Sequence, residues 1–334
     1  MPVQPLENSS TYPRRFGPYY LLSRLNEPFV GSLHLAVAPD RGFGRLTALK
    51  ILGPRLTDAG DVARFRAEAS AVARLSHRNL VPVLDIGLVD DEPYLAMELV
   101  EGRDLRAMWN RCARRQTAFP LAIAAYLVQE LCHGLAHVHA SSGTGLVHRN
   151  ATPAKLLVSY TGEIKLADFS LALSSPVLER TEPEFVYGKI AYLSPEQARA
   201  ETLDGRSDLY TAGIVLWELL TGRQLFPPSR KPTRDLRTRA AHPEVVPPSQ
   251  RAPRVPRELD EVCRSALAAD RHDRYAGCNE MAMALQTWLA RHAPTIGDTQ
   301  MAAFMQELFA EERERDRLER NDLRATVAFL LARF

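Results

Sequence analysis

The stretch that most constrains the fold of this chain runs from Leu146 to Ser170 and reads LVHRNATPAKLLVSYTGEIKLADFS. It contains two short apolar or β-branched runs, LLVSY and EIKLADF, which are joined by Thr161-Gly162. Two such runs around a short Thr-Gly joint predict a β-hairpin. A polar loop, His148–Lys155, precedes the first run, and Asp168-Phe169-Ser170 ends the second. The hairpin therefore brings two polar segments to neighbouring ends of paired strands.

The patterns on both sides of the hairpin are those of an α+β chain. Upstream, alternating apolar residues in YYLLSRL, LHLAVAP and RLTALKIL predict strands, and LVPVLDIG and PYLAMELV predict two more. A helix is expected between these groups, at Asp61–Ser76. Downstream, the sequence predicts a helical region with the apolar helix SDLYTAGIVLWELL and with helices at Pro120–Ala140, Glu258–Ala269 and Cys278–His292.

The polar loop and the end of the hairpin resemble two signatures of the bacterial eukaryotic-like (Hanks-type) Ser/Thr protein kinases. These are the catalytic loop H-R-D-x-K-P-x-N and the metal loop D-F-G. The chain matches them at His148, Arg149, Pro153, Asp168 and Phe169. The resemblance covers residues 16–292. It implies a bilobal protein-kinase-like fold, with a small β-rich N-lobe and a larger helical C-lobe.

The chain departs from this family where the phosphoryl-transfer chemistry is carried out. Asn150 replaces the catalytic Asp, Thr152 replaces a Lys, and Lys155 replaces the Asn that binds a second metal ion. In the activation segment, Asp168–Glu196, Lys189 replaces the Thr that bridges the catalytic Asp and Lys of active members. The resemblance thus implies a degenerate member of the family, a pseudokinase, with no intact catalytic set.

The positions that hold nucleotide in the family are better matched. Lys50, in TALKIL, matches the lysine that pairs with phosphates, and Glu68 matches the helix glutamate that holds it. We expect a buried or half-buried Lys50–Glu68 ion pair, because an unpaired charge there is costly. The phosphate-covering loop keeps only Gly31 of its three glycines, and Pro28 removes an N–H donor. The resemblance implies further nucleotide contacts at Leu25, Leu33, Ala48, Glu98, Val100, Leu157 and Asp168, of which Asp168 would also bind a single Mg²⁺.

Two other matches are structural. Glu196, in YLSPE, matches a glutamate that the family buries against an arginine, here Arg274 in DRHDRY. Asp208 matches the aspartate that caps the backbone of the catalytic loop. The resemblance therefore implies that the scaffold around the degenerate loop is kept.

The predicted domain organisation has three parts. Residues 1–15 are expected to be a disordered arm, residues 16–292 the kinase-like domain (N-lobe 16–97, C-lobe 101–292), and residues 293–334 a helical extension. Prolines and arginines at Pro227–Pro256 predict an irregular surface stretch. The extension carries two apolar sets at helical spacing, Met301, Phe304, Met305, Leu308 and Phe309, then Val327, Leu330, Leu331 and Phe334. We expect it to dock on the chain's own C-lobe; the alternative is a helix that binds a partner or that dimerises through residues 299–334.

Composition narrows the class of partner. The 42 basic and 40 acidic residues give a formal net charge of +2 and are interspersed, so neither a nucleic acid nor a membrane surface is implied. No apolar run is expected to span a membrane, and the start of the chain lacks the apolar core of a signal peptide. The 4 cysteines contain no CxxC pair, which predicts buried free thiols in a cytoplasmic protein without a structural metal. His133 and His137 share a helix face, but no acidic partner is expected beside them.

Three functions follow from these matches and departures. The first is an impaired Ser/Thr kinase-like protein that acts in signalling by binding ATP, with or without Mg²⁺, or a protein partner such as an active kinase. The second is a slow or unconventional ATP-dependent Ser/Thr kinase, which Lys50, Glu68 and Asp168 favour. The third is a scaffold that binds no nucleotide, which Asn26 and Pro28 favour.

Overall fold

The computed structural model describes residues 12–26, 31–38, 43–52, 59–141, 146–167, 190–227 and 233–331 of the chain. It divides into two compact units. The first, the N-lobe, comprises Met1–Ala73, Val83–Leu99 and Glu314–Phe334. The second, the C-lobe, comprises Arg74–Pro82 and Val100–Arg313. The two units match the small β-rich N-lobe and the larger helical C-lobe that the resemblance implied.

The N-lobe is built on an antiparallel sheet, with a helix between its fourth and fifth strands. Its strands are ordered β1-β2-β3-β4-β6-β5, so that only β5 and β6 depart from sequence order. The elements are β1 (Arg14–Phe16), β2 (Tyr19–Asn26), β3 (Ser32–Ala38), β4 (Phe43–Ile51), α1 (Ala59–Ala73), β5 (Val83–Val89) and β6 (Glu92–Glu98). The prediction of a disordered arm is wrong for its last residues, because Arg14 and Arg15 of β1 pair with Leu21 and Tyr20 of β2.

Both faces of the N-lobe sheet are apolar. One face carries a buried cluster that includes Phe16, Leu21, Ala36, Leu49 and Tyr94. The other carries a second cluster, which is formed by Leu22, Leu35, Val37 and Val327. Strand residues alternate between the two faces, as the period of two in the sequence predicted.

The C-lobe is mainly helical, with a small sheet ordered β7-β8-β9. Its strands are β7 (Gly102–Asp104), β8 (Leu156–Ser159) and β9 (Ile164–Leu166), and its first helices are α2 (Leu105–Arg114) and α3 (Leu121–Ala140). They are followed by α4 (Pro195–Ala198), α5 (Gly205–Thr221), α6 (Thr233–Ala241), α7 (Arg257–Ala266), α8 (Cys278–His292) and α9 (Asp298–Leu331).

Three C-lobe helices were not expected: the short α4, and α2 and α6. Helix α2 begins at an N-cap, Asp104, whose side chain accepts a hydrogen bond from the Ala107 N–H at 2.8 Å. It buries Leu105, Met108 and Cys112, which lie on one helical face. Helix α6 lies within Pro227–Pro256, so the prediction of an irregular stretch is wrong there. In α6 the prolines flank the helix and do not interrupt it.

Helix α3 is the core helix of the C-lobe. It is long and apolar enough to span a membrane by length and composition, which corrects the expectation that no run of this kind exists. Its side chains Leu127, Val128, Leu131, Leu135 and Val138 are all fully buried in the core of the C-lobe. Its apolar length is therefore used in packing within this lobe.

The predicted hairpin is present as β8 and β9, with shorter strands than the apolar runs suggested. The register pairs Leu156 with Leu166 and Val158 with Ile164. Gly162 turns the chain with φ of +94°, a backbone conformation that side chains disfavour. A Cβ at Gly162 would lie 1.9 Å from the backbone oxygen of Asp298, so the turn also packs directly against the start of α9.

The first apolar set of the extension docks on the chain's own C-lobe, as predicted. The set is buried in the main C-lobe core and consists of Met301, Phe304, Met305, Leu308 and Phe309. The ring of Phe304 meets that of Phe119 edge-on, at 5.2 Å between centroids. Val327, of the second set, belongs instead to the N-lobe cluster, which corrects the expected C-lobe docking. Dimerisation through residues 299–334 stays a prediction.

Helix α9 is kinked at Phe309, where φ is −137° and ψ is 32°. Arg115 donates hydrogen bonds to the backbone oxygens of Glu307 at 2.9 Å and Leu308 at 3.4 Å. A side chain that takes helical carbonyls in this way interrupts the ladder of hydrogen bonds. The Arg111 guanidinium lies over the Phe309 ring, 4.9 Å from its centroid, and also pairs with Glu312. Two arginines of α2 and its C-terminal end thus hold the kink.

Candidate functional site

The N-lobe carries its candidate nucleotide residues on one face of the sheet. In the β3–β4 register Leu33 lies opposite Lys50 and Leu35 opposite Ala48, and in the β4–β6 register Ala48 lies opposite Met97. Side chains of directly paired residues point to the same side of a sheet. Leu33, Ala48, Lys50 and Met97 therefore share one face.

The exposure of these positions differs along that face. Ala48 and Met97 are buried, at 9% and 8% exposure, whereas Leu33 and Lys50 are half-buried and Leu25 is 44% exposed. Glu98 ends β6, and its backbone continues into Leu99. The face is thus closed around Ala48 and Met97 and more open at Leu33 and Lys50.

Several predicted positions lie outside what the structure describes. The backbone of Glu68 is in α1, but its side chain is not described, so the Lys50–Glu68 ion pair stays a prediction. Pro28 in the phosphate-covering loop, Asp168 and Phe169 of the metal loop and Lys189 also fall outside the described residues. Their roles remain those that the resemblance implies.

The C-lobe carries the catalytic loop, whose backbone is held by Asp208 of α5. The Asp208 carboxylate accepts the N–H of His148 at 2.7 Å and that of Arg149 at 2.8 Å, so the predicted capping role is confirmed. Arg149 has a positive φ of 66°, which this pair of bonds stabilises. On the other side, Gln197 of α4 donates to the Arg149 carbonyl at 3.3 Å. The loop is therefore fixed from two elements.

The three substituted residues occupy successive turns of this fixed loop. The Thr152 N–H donates to the carbonyl of Asn150 at 2.8 Å, and the Lys155 N–H donates to that of Thr152 at 2.9 Å. Thr152 is buried at 7% exposure, while Asn150 and Lys155 are half-buried. Leu157 follows on β8, half-buried and paired with Lys165. The loop keeps an ordered backbone although its chemical groups are changed.

A half-buried histidine, whose role the sequence did not indicate, supports Asp208. His139 Nε2, from α3, lies 2.8 Å from the Asp208 carboxylate. Burial alone would lower the pKa of His139, but its hydrogen bonds to Asp208 and to the Cys278 thiol raise that pKa to about 10. The charged imidazolium therefore neutralises the carboxylate that holds the loop. The only signal was one of three histidines near the end of an apolar helix, and nothing in their spacing points to Asp208.

The end of the activation segment is anchored by two buried carboxylates. Arg274 Nη1 and Nη2 donate to the Glu196 carboxylate at 2.8 and 2.9 Å, and the Arg274 side chain is 0% exposed, which confirms the predicted pair. Burial opposes ionisation, yet the bonds from Arg274 and Ser207 lower the pKa of Glu196 to about 2. Burial raises the pKa of Glu218 to about 7, although the Tyr192 hydroxyl donates to it at 2.6 Å.

The expectation that His133 and His137 lack an acidic partner is wrong. His133 Nδ1 lies 3.3 Å from Glu130, and the His137 ring stacks on that of His77 at 5.0 Å. Among the described residues, no group of three or more His, Cys, Asp and Glu side chains is arranged to hold a metal ion. The four cysteines are free and buried, as predicted. These histidines therefore belong to the packing of α3 against the segment before β5.

The family model described as "Protein kinase domain" matches residues 34–289. The chain belongs to the protein kinase family. Its relatives include bacterial Ser/Thr kinases: it is 39% identical over 254 residues to Serine/threonine-protein kinase PknL of Mycobacterium tuberculosis, covering 74% of this chain and 60% of that protein. It is 35% identical over 280 residues to a probable serine/threonine-protein kinase PknB of Bifidobacterium longum, covering 79% and 39%.

Other similarities agree with this membership. The chain is 32% identical over 312 residues to Tyrosine-protein kinase MasK of Myxococcus xanthus, covering 91% of this chain and 48% of that protein. The kinase domain of Mycobacterium tuberculosis PknI superposes with a TM-score of 0.64 at 27% identity, covering 83% of this chain and 98% of that one. This kinase chain thus spans between 39% and 60% of the length of these curated relatives.

Proposed function

We propose that this chain is an impaired Ser/Thr kinase-like signalling protein, a pseudokinase, which acts by binding adenine nucleotide and a protein partner. One observation carries the proposal: the catalytic loop keeps its fixed backbone on Asp208 while Asn150, Thr152 and Lys155 replace its reactive groups. A loop that had lost both its fixed backbone and its reactive groups would indicate decay of the fold. A loop that keeps its fixed backbone without its reactive groups indicates selection for structure without phosphoryl transfer.

Each substitution removes a different part of the chemistry. Asn150 has no pKa suited to a general base, and the loss of such a base commonly costs about 10²- to 10⁴-fold in rate. Thr152 removes the cation that neutralises the transferring phosphoryl group, which costs about 10²- to 10³-fold. Lys155 brings an ammonium group to the place of a ligand for the second metal ion, and like charges repel. The losses need not multiply, but either of the first two is enough to cripple turnover.

The N-lobe residues fit a nucleotide. Leu33 and Ala48 offer apolar surface on the face that also carries Lys50. The apolar surface suits an adenine ring, and the lysine beside it suits a phosphate. ATP supplies the phosphoryl group in this family, with Mg²⁺. We propose that ATP binds with or without a single Mg²⁺, held by Asp168, and that Lys50 grips the phosphates with Glu68 behind it. The partner is a protein, such as an active kinase or another signalling protein, and the compartment is the cytoplasm.

The test combines a transfer assay with a binding assay on the full chain. Radiolabelled ATP should transfer no phosphate to the protein or to a generic substrate, whereas ATP should raise the melting temperature of the wild type and not of Lys50→Ala. At about 100 times the dissociation constant, binding adds about 2.7 kcal/mol of stability. Transfer by the wild type that Lys50→Ala abolishes would overturn the proposal.

A stepwise repair separates the pseudokinase from a slow kinase, which the family membership favours as the second candidate. A slow kinase should gain strongly from Asn150→Asp alone. A pseudokinase should stay silent there and gain transfer only when Thr152→Lys and Lys155→Asn are added. If neither ATP nor ADP shifts the melting temperature, the protein is a scaffold without nucleotide, and partner capture becomes the next experiment.

A further inference from the structure

The last part of α9 buries one stripe of its surface within the N-lobe. Among the side chains described between residues 314 and 327, those with reduced exposure are Asp316, Arg320, Leu323 and Val327. They are separated by steps of four, three and four, which is the spacing of one helical face. Leu318, from the same segment, is 53% exposed. This face therefore has a defined counterpart in the N-lobe.

That counterpart is the second apolar cluster of the N-lobe sheet. Val327, at 5% exposure, packs with Leu22, Leu35 and Val37, which are 5%, 4% and 0% exposed. Leu323 joins this cluster together with the partly buried Tyr20, Leu46 and Leu99. Helix α9 thus covers side chains from β2, β3 and β4 as well as the residue that follows β6.

The covered surface continues the candidate nucleotide face. Leu35 lies opposite Ala48, and Leu33, two residues earlier on β3, lies opposite Lys50. Because strand side chains alternate with a period of two, Leu33, Leu35 and Val37 point to the same side. The helix therefore packs on the same face as Lys50, displaced along β3 by one or two side-chain positions, and Leu33 and Lys50 are not members of the cluster that it covers.

We propose that Leu323 and Val327 are positioning residues for an adenine nucleotide: α9 backs the strands and the post-β6 residue, Leu99, that shape the nucleotide face. The inference rests on the proposed nucleotide binding. A site whose strands are already packed costs less to order when ligand binds, so the resident helix raises affinity. The helix packs beside the proposed site. It does not cover the end of the face at Leu33 and Lys50, which is left for the ligand.

The experiment compares three full-length proteins: the wild type, the double variant Leu323→Ser with Val327→Ser, and the control Leu318→Ser on the exposed side of α9. Isothermal titration measures the dissociation constants for ATP and ADP. The double variant should bind about 10-fold more weakly, a change of about 1.4 kcal/mol. The control should bind within about 2-fold of the wild type. Val327→Ala, a milder change, should lie between them.

An internal reporter checks that the double variant leaves the folding of the C-lobe unchanged. The 3 tryptophans of the chain, Trp109, Trp217 and Trp288, all lie in the C-lobe. Their fluorescence on unfolding should be unchanged in the double variant if only the N-lobe cover is released. Equal affinity in the double variant and the wild type overturns this inference and leaves the proposed function intact. Tighter binding overturns it as well and makes α9 an inhibitor. Absence of binding by the wild type overturns the nucleotide function itself, and the inference with it.

Discussion

Arg78 donates through Nη2 to both carboxylate oxygens of Asp298, at 2.9 and 2.8 Å. Arg78 lies in the segment between α1 and β5, and Asp298 is the first residue of α9. The Tyr126 hydroxyl of α3 donates to the same carboxylate at 2.7 Å. The C-terminal helix therefore starts from a fixed point on the C-lobe.

Replacing Asp298 with Ala should lower the free energy of unfolding of the C-lobe by about 1 to 2 kcal/mol. The Tyr126 hydroxyl loses its acceptor, whereas the partly exposed Arg78 pair contributes little. Urea unfolding followed by tryptophan fluorescence measures the change. Glu311→Ala, which removes an exposed carboxylate of the same helix, is the matched control. Equal effects of the two changes would contradict the anchoring role.

Gly162→Ala should destabilise the C-lobe by about 2 to 4 kcal/mol. The new Cβ meets the Asp298 backbone oxygen at 1.9 Å, and φ is already +94°. Gly222→Ala is the control, because Gly222 also has a positive φ, of 68°, but nothing lies within 4 Å of the added atom. It should cost about 1 kcal/mol, from backbone strain alone. Thermal melts of both variants measure the difference, and matching losses would show that the contact with α9 is loose.

Glu196→Gln should destabilise the C-lobe by about 3 to 5 kcal/mol, because it leaves the buried Arg274 guanidinium without its charge partner. The pKa of Glu196 is lowered from 4.5 to about 2 in the folded protein. Its stabilisation is therefore complete above pH 4.5 and is lost as the pH falls towards 2. Unfolding measured between pH 6 and 3 should show a smaller acid loss in Glu196→Gln than in the wild type. The exposed Glu244→Gln serves as control, and a parallel acid loss in both would refute the assignment.

His139→Gln tests the support of Asp208. The pKa of His139 is raised from 6.5 to about 10, so its contribution is fully present below pH 6.5 and is lost as the pH rises towards 10. The variant should be less stable than the wild type at pH 6, and the gap should close at alkaline pH. His242→Gln, at an exposed site, should leave the pH profile unchanged. A gap that persists at pH 10 would mean that packing, and not charge, explains the loss.

The sequence predicted two kinds of feature. Some are indicated by a short local pattern, and others belong to residues that match the family motifs in order and spacing. The hairpin follows from two apolar runs around Thr161-Gly162, and Asp208 and Glu196 were matched by position. Other features have no local signature. The bond between His139 and Asp208 joins residues 69 positions apart, and the kink at Phe309 depends on Arg115, which lies in a different element.

Only part of the candidate site was predicted, again because some of its features have no local signature in the sequence. The resemblance named Leu33, Ala48 and Lys50 one by one, but their common face depends on the β3–β4 register, which the pattern of a single strand does not specify. The cover that Val327 gives to this sheet did not follow from the sequence either, because an apolar helical stripe does not specify which lobe it packs on. Helix α6 was missed because prolines on both sides of it mask a short amphipathic pattern.

The C-lobe core does not end where the match to the family model ends. That match stops at residue 289, whereas Met301, Phe304, Met305, Leu308 and Phe309 complete the packing of α2 and α3. A protein trimmed at residue 289 would present these partners to water as a bare apolar patch and would be prone to aggregate. The family model and the cooperative folding unit therefore cover different lengths of this chain, and domain swaps or crystallisation fragments should be cut beyond Phe309.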